Sequence, residues 1–143
     1  MPKSTSTCNN ILKLVFNATA WANIADNAAI SPFTILYVST HTADPGIGND
    51  QTTNETAYTN YVRIAINRNS GGWTVSTNTA VNAALAQFAQ CGASGATLTH
   101  VAVGTAASGT GTVLYAGPLS APITVSNGIQ PQFAGGALTA TET

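Results

Sequence analysis

The sequence predicts an all-β sandwich, and three observations carry that prediction. Short runs in which apolar and polar residues alternate recur from residue 33 to residue 141. The runs are rich in Val, Ile, Thr and aromatic residues, which suit a pleated and half-buried surface. Gly, Pro, Asn and Ser punctuate them at the short intervals typical of sandwiches and barrels. No linker, charge block or repeat divides the chain, so the strands should share one core. The expected organisation is an N-terminal arm and short helix over 1–30, then a β-sandwich domain over 31–143.

Residues 1–7 are a polar, Ser/Thr-rich lead with nothing apolar to bury, which predicts mobility unless a partner orders it. From Cys8 the pattern changes. Ile11, Leu12, Val15, Phe16 and Thr19 follow helical spacing, Leu14 widens the apolar face, and Thr7 is placed to cap the start. Asn17 and the mixed segment Asn23 to Ala29 argue against a long helix. The helix either closes one end of the β core or serves as an arm for a neighbouring subunit.

Phe33 to Thr40 reads as a strand with both faces at least partly covered. Asp44-Pro45-Gly46 stops it, because Pro45 disfavours the helical region for Asp44 and Gly46 can take a positive φ. Tyr61 to Asn67 is the next strand, with Val62, Ile64 and Ile66 on one face, and Ser70-Gly71-Gly72 closes it. Trp73, at the start of the following strand, is expected to be buried against that Val62, Ile64 and Ile66 face. The remaining strands are expected at Trp73 to Ser76, Ala80 to Phe88 with an internal irregularity, Thr97 to Val103, Thr112 to Ala116, Ile123 to Ser126 and Ala137 to Thr141. Gly104 to Gly111 lacks the Lys of a phosphate loop and is read as a hairpin loop.

Only 6% of the 143 residues are charged, against roughly 25% in an average soluble protein. Solvation falls to Thr, Ser, Asn and Gln, and such a surface favours a protein docked in an assembly, here a homo-oligomer with a dimer preferred. Four basic residues and a net charge of −1 cannot make the clustered basic patch that nucleic-acid binding needs. No apolar run reaches the roughly 18–20 residues of a membrane span, and no signal-peptide layout is evident. Folding in the cytoplasm where it is made is expected. Cys8 and Cys91 read as small packed residues, not as a disulfide framework or a zinc site.

Catalytic machinery is not evident, so the chain is not expected to be an enzyme and no cofactor is called for. Asp44, Asp50 and Glu55, with Asn49, Asn54 and nearby Thr hydroxyls, could offer oxygen ligands to calcium, but their spacing matches no EF-hand. A solvated loop with local Asx-type hydrogen bonds is the more economical reading, and no metal is assigned. His41 and His100 lack a neighbouring ligand or nucleophile motif in sequence and read as structural histidines. Tyr58, Tyr61, Trp73, Tyr115 and Phe133 could form a sugar-stacking platform, although aromatics in a small β domain are more often core and interface anchors. With Phe16 and Arg63, these five are the structural or interface candidates.

The run His41-Thr42-Ala43-Asp44-Pro45-Gly46, the later Glu55, the Tyr58-x-x-Tyr61-x-Arg63 spacing and the Gly72-Trp73 pair resemble small tailed-bacteriophage virion proteins. So do Val103 to Gly111, Leu114-Tyr115-Ala116-Gly117 and Asn127 to Phe133. The chain is most similar, on these motifs, to capsid decoration (cementing) proteins, whose members are often loosely labelled tail-fibre or structural proteins. The resemblance implies a jelly-roll-like β-sandwich on the outer capsid surface of a virion, with the major capsid protein and other copies of itself as partners. It implies a non-enzymatic function, clamping adjacent major capsid subunits. The alternatives are a tail or tail-fibre component and a carbohydrate-binding β module.

Overall fold

A computed structural model describes residues 3–21, 24–25, 31–46 and 50–143. It is mostly β, with one short helix. The elements are α1 (Thr5–Asn17), β1 (Ile35–His41), β2 (Ile64–Asn67), β3 (Trp73–Ser76), β4 (Thr79–Asn82), β5 (Ala86–Gln87), β6 (Ala96–Gly104), β7 (Val113–Val125), β8 (Gln132–Phe133) and β9 (Thr139–Thr141). Among the described residues three sheets form: β2-β1-β6-β7, β3-β4-β9 and the short ribbon β5-β8. The chain divides into two compact units. The first takes residues 1–35, 66–86 and 133–143, and the second takes 36–65 and 87–132.

In the first unit α1 begins one turn earlier than the apolar spacing suggests. Its cap is Ser4, not Thr7: the Ser4 hydroxyl accepts from Thr7 N at 3.2 Å, satisfying one of the free amides of the first turn. Cys8, Leu12 and Phe16, spaced four apart, are its buried stripe. Phe16 meets Trp73 with ring centroids 4.7 Å apart, and α1 packs on β3 and β4. The helix face that could have served as an arm is therefore used inside the chain. Trp73 is buried as expected, but its aromatic partner is Phe16. Val62 belongs to no apolar core face, being 62% exposed, and β2 starts only at Ile64.

Two polar residues organise the rest of this unit. Arg68 caps the far end of α1: its guanidinium donates to the carbonyls of Leu14 and Val15, which no longer have an intrahelical partner, and to Phe33 O at 3.0 Å. Buried Asn82 donates from Nδ2 to Ala84 O (2.7 Å) and Ala134 O (2.9 Å), while its Oδ1 accepts from Leu138 N (2.9 Å). Those bonds hold the turn that feeds β9 onto β4, where Ala80 faces Ala140. The turn before β3 requires glycine at 72, because a Cβ there would lie 2.0 Å from Asn67 O.

The second unit carries its own apolar cluster of Tyr58, Cys91, Leu98 and Val125, with Tyr61, Ala96, Leu119 and Ile123 packed against it. Cys8 and Cys91 are both buried free thiols, as small packed residues should be. Strands β6 and β7 form a long antiparallel pair joined by the loop at 105–112, the hairpin expected from the Gly-rich run. The two strands anticipated within 112–126 are one, β7. Its register against β6 shifts between Leu98 and His100, so residues 119–122, opposite Thr99, bulge without ending the strand. Pro118 and Pro122 are tolerated because β7 is the terminal strand of its sheet, where a missing N–H breaks no inner ladder.

Candidate functional site

The most elaborate side-chain construction in the described residues lies in the second unit, where two loops are tied to the end of the β1-β6-β7 sheet. The first loop leaves β1 at His41 and returns antiparallel to it: His41 bridges Glu55, Thr42 N donates to Asn54 O (2.9 Å) and Thr56 N to Thr40 O (3.0 Å). The second is the 105–112 hairpin loop. Its Gly111 O accepts from Gln51 N (3.0 Å), and Asp50 bridges Thr112.

Glu55 and Arg63 lock these loops together. Arg63 Nε and Nη2 donate to the two carboxylate oxygens of Glu55, each at 2.7 Å, a bidentate charge-assisted pair. The remaining Arg63 donors reach the hairpin loop, Nη1 to Ala106 O and Nη2 to Gly109 O, both at 2.8 Å. Tyr61 Oη donates to Glu55 Oε1 at 2.8 Å and accepts from Thr40 N at 3.1 Å. Arg63 is buried, so its charge is matched almost wholly inside the protein. The Glu55 hydrogen bond and charge raise the guanidinium pKa above its usual value against the opposing effect of burial. Burial, reinforced by the Glu55 charge, pushes the Tyr61 hydroxyl well above 10, and burial takes Tyr58 up to about 12. Both tyrosines are un-ionised hydrogen-bonding groups at neutral pH.

Gln51 is a second, uncharged pin. Fully buried, it accepts from Ala106 N at 2.9 Å, and its side chain fills the space over Gly104 and Gly111. A Cβ at Gly104 would come within 2.2 Å of the Gln51 amide carbon. His41 completes the set. Its Nδ1 lies 2.9 Å from Thr53 O, a pure acceptor, so Nδ1 carries the proton and Nε2 accepts from the Ser39 hydroxyl at 2.9 Å. Burial, as the largest cause, lowers its pKa below the ordinary 6.5.

The sequence candidates therefore separate. Tyr58, Tyr61 and Arg63 come together, with Tyr61 edge-on to Tyr58 (centroids 5.3 Å) and stacked on Phe88 (6.0 Å). Phe16 and Trp73 form the core contact of the other unit. Tyr115 is half-buried on β7 opposite Val103, and Phe133 is half-buried on β8. Sequence reasoning missed Gln51, Arg68 and Asn82, whose partners are set by the fold. The β1-β6 register also places His41 and His100, distant in sequence, directly opposite each other.

The three acidic residues are occupied locally. Asp44 Oδ1 accepts from Gly46 N at 2.8 Å and Asp50 Oδ1 from Thr52 N at 2.8 Å, both Asx-type turns, while Glu55 is engaged by Arg63 and Tyr61. Hydrogen bonds from Thr52 lower the Asp50 pKa. Asn49 lies outside the described residues. No group of three potential metal ligands occurs among the described residues, and no helix there is long and apolar enough to cross a membrane.

Such a site rigidifies loops; its charges point at one another. A family model described as podophage GP4 fiber I protein gp80 matches residues 2–141. The chain belongs to that family. The gp80 family is a bacteriophage structural one, as the sequence motifs implied, and its description names a fibre protein where the motifs resemble capsid decoration proteins. No curated protein matches this gp80-family chain.

Proposed function

We propose that this chain is a non-enzymatic structural subunit of a podophage virion, acting as a component of a fibre. The observation that carries the reading is the family match over residues 2–141, whose description is a fiber I protein. The physical chemistry supports it. A chain with 6% charged residues spends several of its few charges on internal pairs: Glu55 with Arg63, and Lys3 with Glu142. What remains outside is a sparsely charged, hydroxyl-rich surface, suited to permanent docking against other subunits. Self-association would couple several such contacts and make later docking events effectively intramolecular. Under this reading the antiparallel sheets belong to a jelly-roll-like β-sandwich that serves as a rigid block.

A second reading is capsid decoration, favoured by the motifs from His41 to Gly46 and from Asn127 to Phe133. There the partner is the major capsid protein, the location is the outer capsid surface, and binding to the intact shell stabilises it. Copy number in purified virions tests both. Quantitative mass spectrometry should find the chain in tens of copies if it is a fibre component, and near the abundance of the major capsid protein if it decorates the shell. Absence from washed virions would overturn both readings.

A further inference from the structure

The pairing of β1 with the returning segment 54–56 leaves an unusual rung. The His41–Glu55 bridge is isolated, and at Thr40 and Thr56, the next pair, only half of the exchange is made, as at Thr42 and Asn54 on its other side. Thr56 N donates to Thr40 O at 3.0 Å, whereas Thr40 N turns to Tyr61 Oη at 3.1 Å. The two threonines face each other across antiparallel backbones, so their side chains share one side of the ladder, with Cβ atoms about 4.5–5.5 Å apart. Thr40 is 0% exposed and Thr56 3%, yet neither hydroxyl has a hydrogen-bond partner in the protein. Two buried, unpaired hydroxyls on facing residues are costly, because each has lost its hydration without replacement.

We propose that Thr40 Oγ1 and Thr56 Oγ1 form an internal hydration site, which holds one ordered water bridging the two side chains. Each hydroxyl can both donate and accept, so a single water meets the two-partner minimum of buried waters whichever way the protons are arranged. The site lies where Tyr61 draws the Thr40 amide out of the ladder. The water thus extends the Glu55-Tyr61-Thr40 chain of hydrogen bonds to Thr56 and ties the returning segment to β1 where backbone pairing is incomplete.

Water-oxygen-17 magnetic relaxation dispersion on the full chain counts long-lived internal waters. The wild type should show one more than the isosteric double variant Thr40→Val/Thr56→Val; identical dispersions overturn the site. Thermal melts give an independent reading. Thr40→Val alone should lower Tm by about 3 °C, since it strips the water of a partner, and adding Thr56→Val should recover part of that loss. A rise in Tm for Thr40→Val would show that the hydroxyl was bare. A high-resolution crystal structure with the two Oγ atoms in direct hydrogen-bond contact would equally refute the bridging water.

Discussion

Replacing Glu55 by Gln keeps the shape of the loop lock and removes its charge. Arg63 then faces an amide in which one acceptor oxygen has become an NH2 donor, opposite a guanidinium nitrogen that is itself only a donor. The side chain of Arg63 is 2% exposed and that of Glu55 15%, so water cannot readily replace the lost carboxylate. Breaking one partner of a buried pair costs about 3–5 kcal/mol, against a total stability of about 5–15 kcal/mol for a typical domain. With a urea dependence near 2 kcal/mol per molar, the unfolding midpoint should fall by about 1.5–2.5 M. Arg63→Met should cost a comparable amount. The double variant should cost much less than the two together, because it leaves no uncompensated charge. Equilibrium urea titrations of the four proteins provide the cycle. A Glu55→Gln loss below about 1 kcal/mol, the range of an exposed ion pair, would refute the claim that this pair is a buried lock.

Trp73→Ala removes the partner of Phe16 and should cost about 3–5 kcal/mol, read as a large fall in Tm; wild-type melting would place Trp73 outside the core. Ala18, at the end of α1, holds φ 53°, a left-handed conformation that glycine adopts freely. Ala18→Gly should therefore stabilise the protein by about 0.5–1 kcal/mol, and a lower urea midpoint would contradict the cap assignment. Because the folded state holds His41 below its ordinary pKa, the unfolded chain binds more protons as pH falls. Stability should drop from about pH 6.5 downward through the folded-state value. Urea midpoints at pH 7.5 and 5.5 should show that drop, with Glu55, Arg63 and His100 around the ring in both cases, and His41→Asn should flatten it. The lowered pKa of Asp50 acts in a separate and more acidic window.

Local signals were legible wherever the local pattern decided the structure. Trp73–Ser76 was bounded correctly because Gly71-Gly72 precedes an alternating run, and the Ala80 to Phe88 stretch does break, into β4 and β5. The two strands expected within 112–126 are one, because β7 is an edge strand and accepts prolines that an inner strand rejects. The two-residue β8 follows Pro131 and is too short to carry a period. Ser4 lost to Thr7 as the expected cap because the apolar stripe starts at Cys8 while the helix starts before it. Tyr61 and Arg63 could be singled out by spacing, but not their tie to Glu55 and to loop carbonyls more than forty residues away. Gln51, Arg68 and Asn82 left no local signal, because a neutral amide or a lone arginine looks solvated until the fold encloses it.

The first unit draws its β4-β9 pairing from distant stretches of the chain, 66–86 and 133–143, and this has a consequence for biosynthesis. A ribosome adding about 5–20 residues per second needs some seconds to travel from β4 to β9. Throughout that interval the nascent chain presents β4 with its β9 side unpaired, and the carbonyl and amide groups that Asn82 will bind at 134 and 138 do not yet exist. A stalled or truncated product would expose an open, uncharged strand edge, the template on which neighbouring nascent chains aggregate. Completion of β9 is thus the event that closes the open edge of β4.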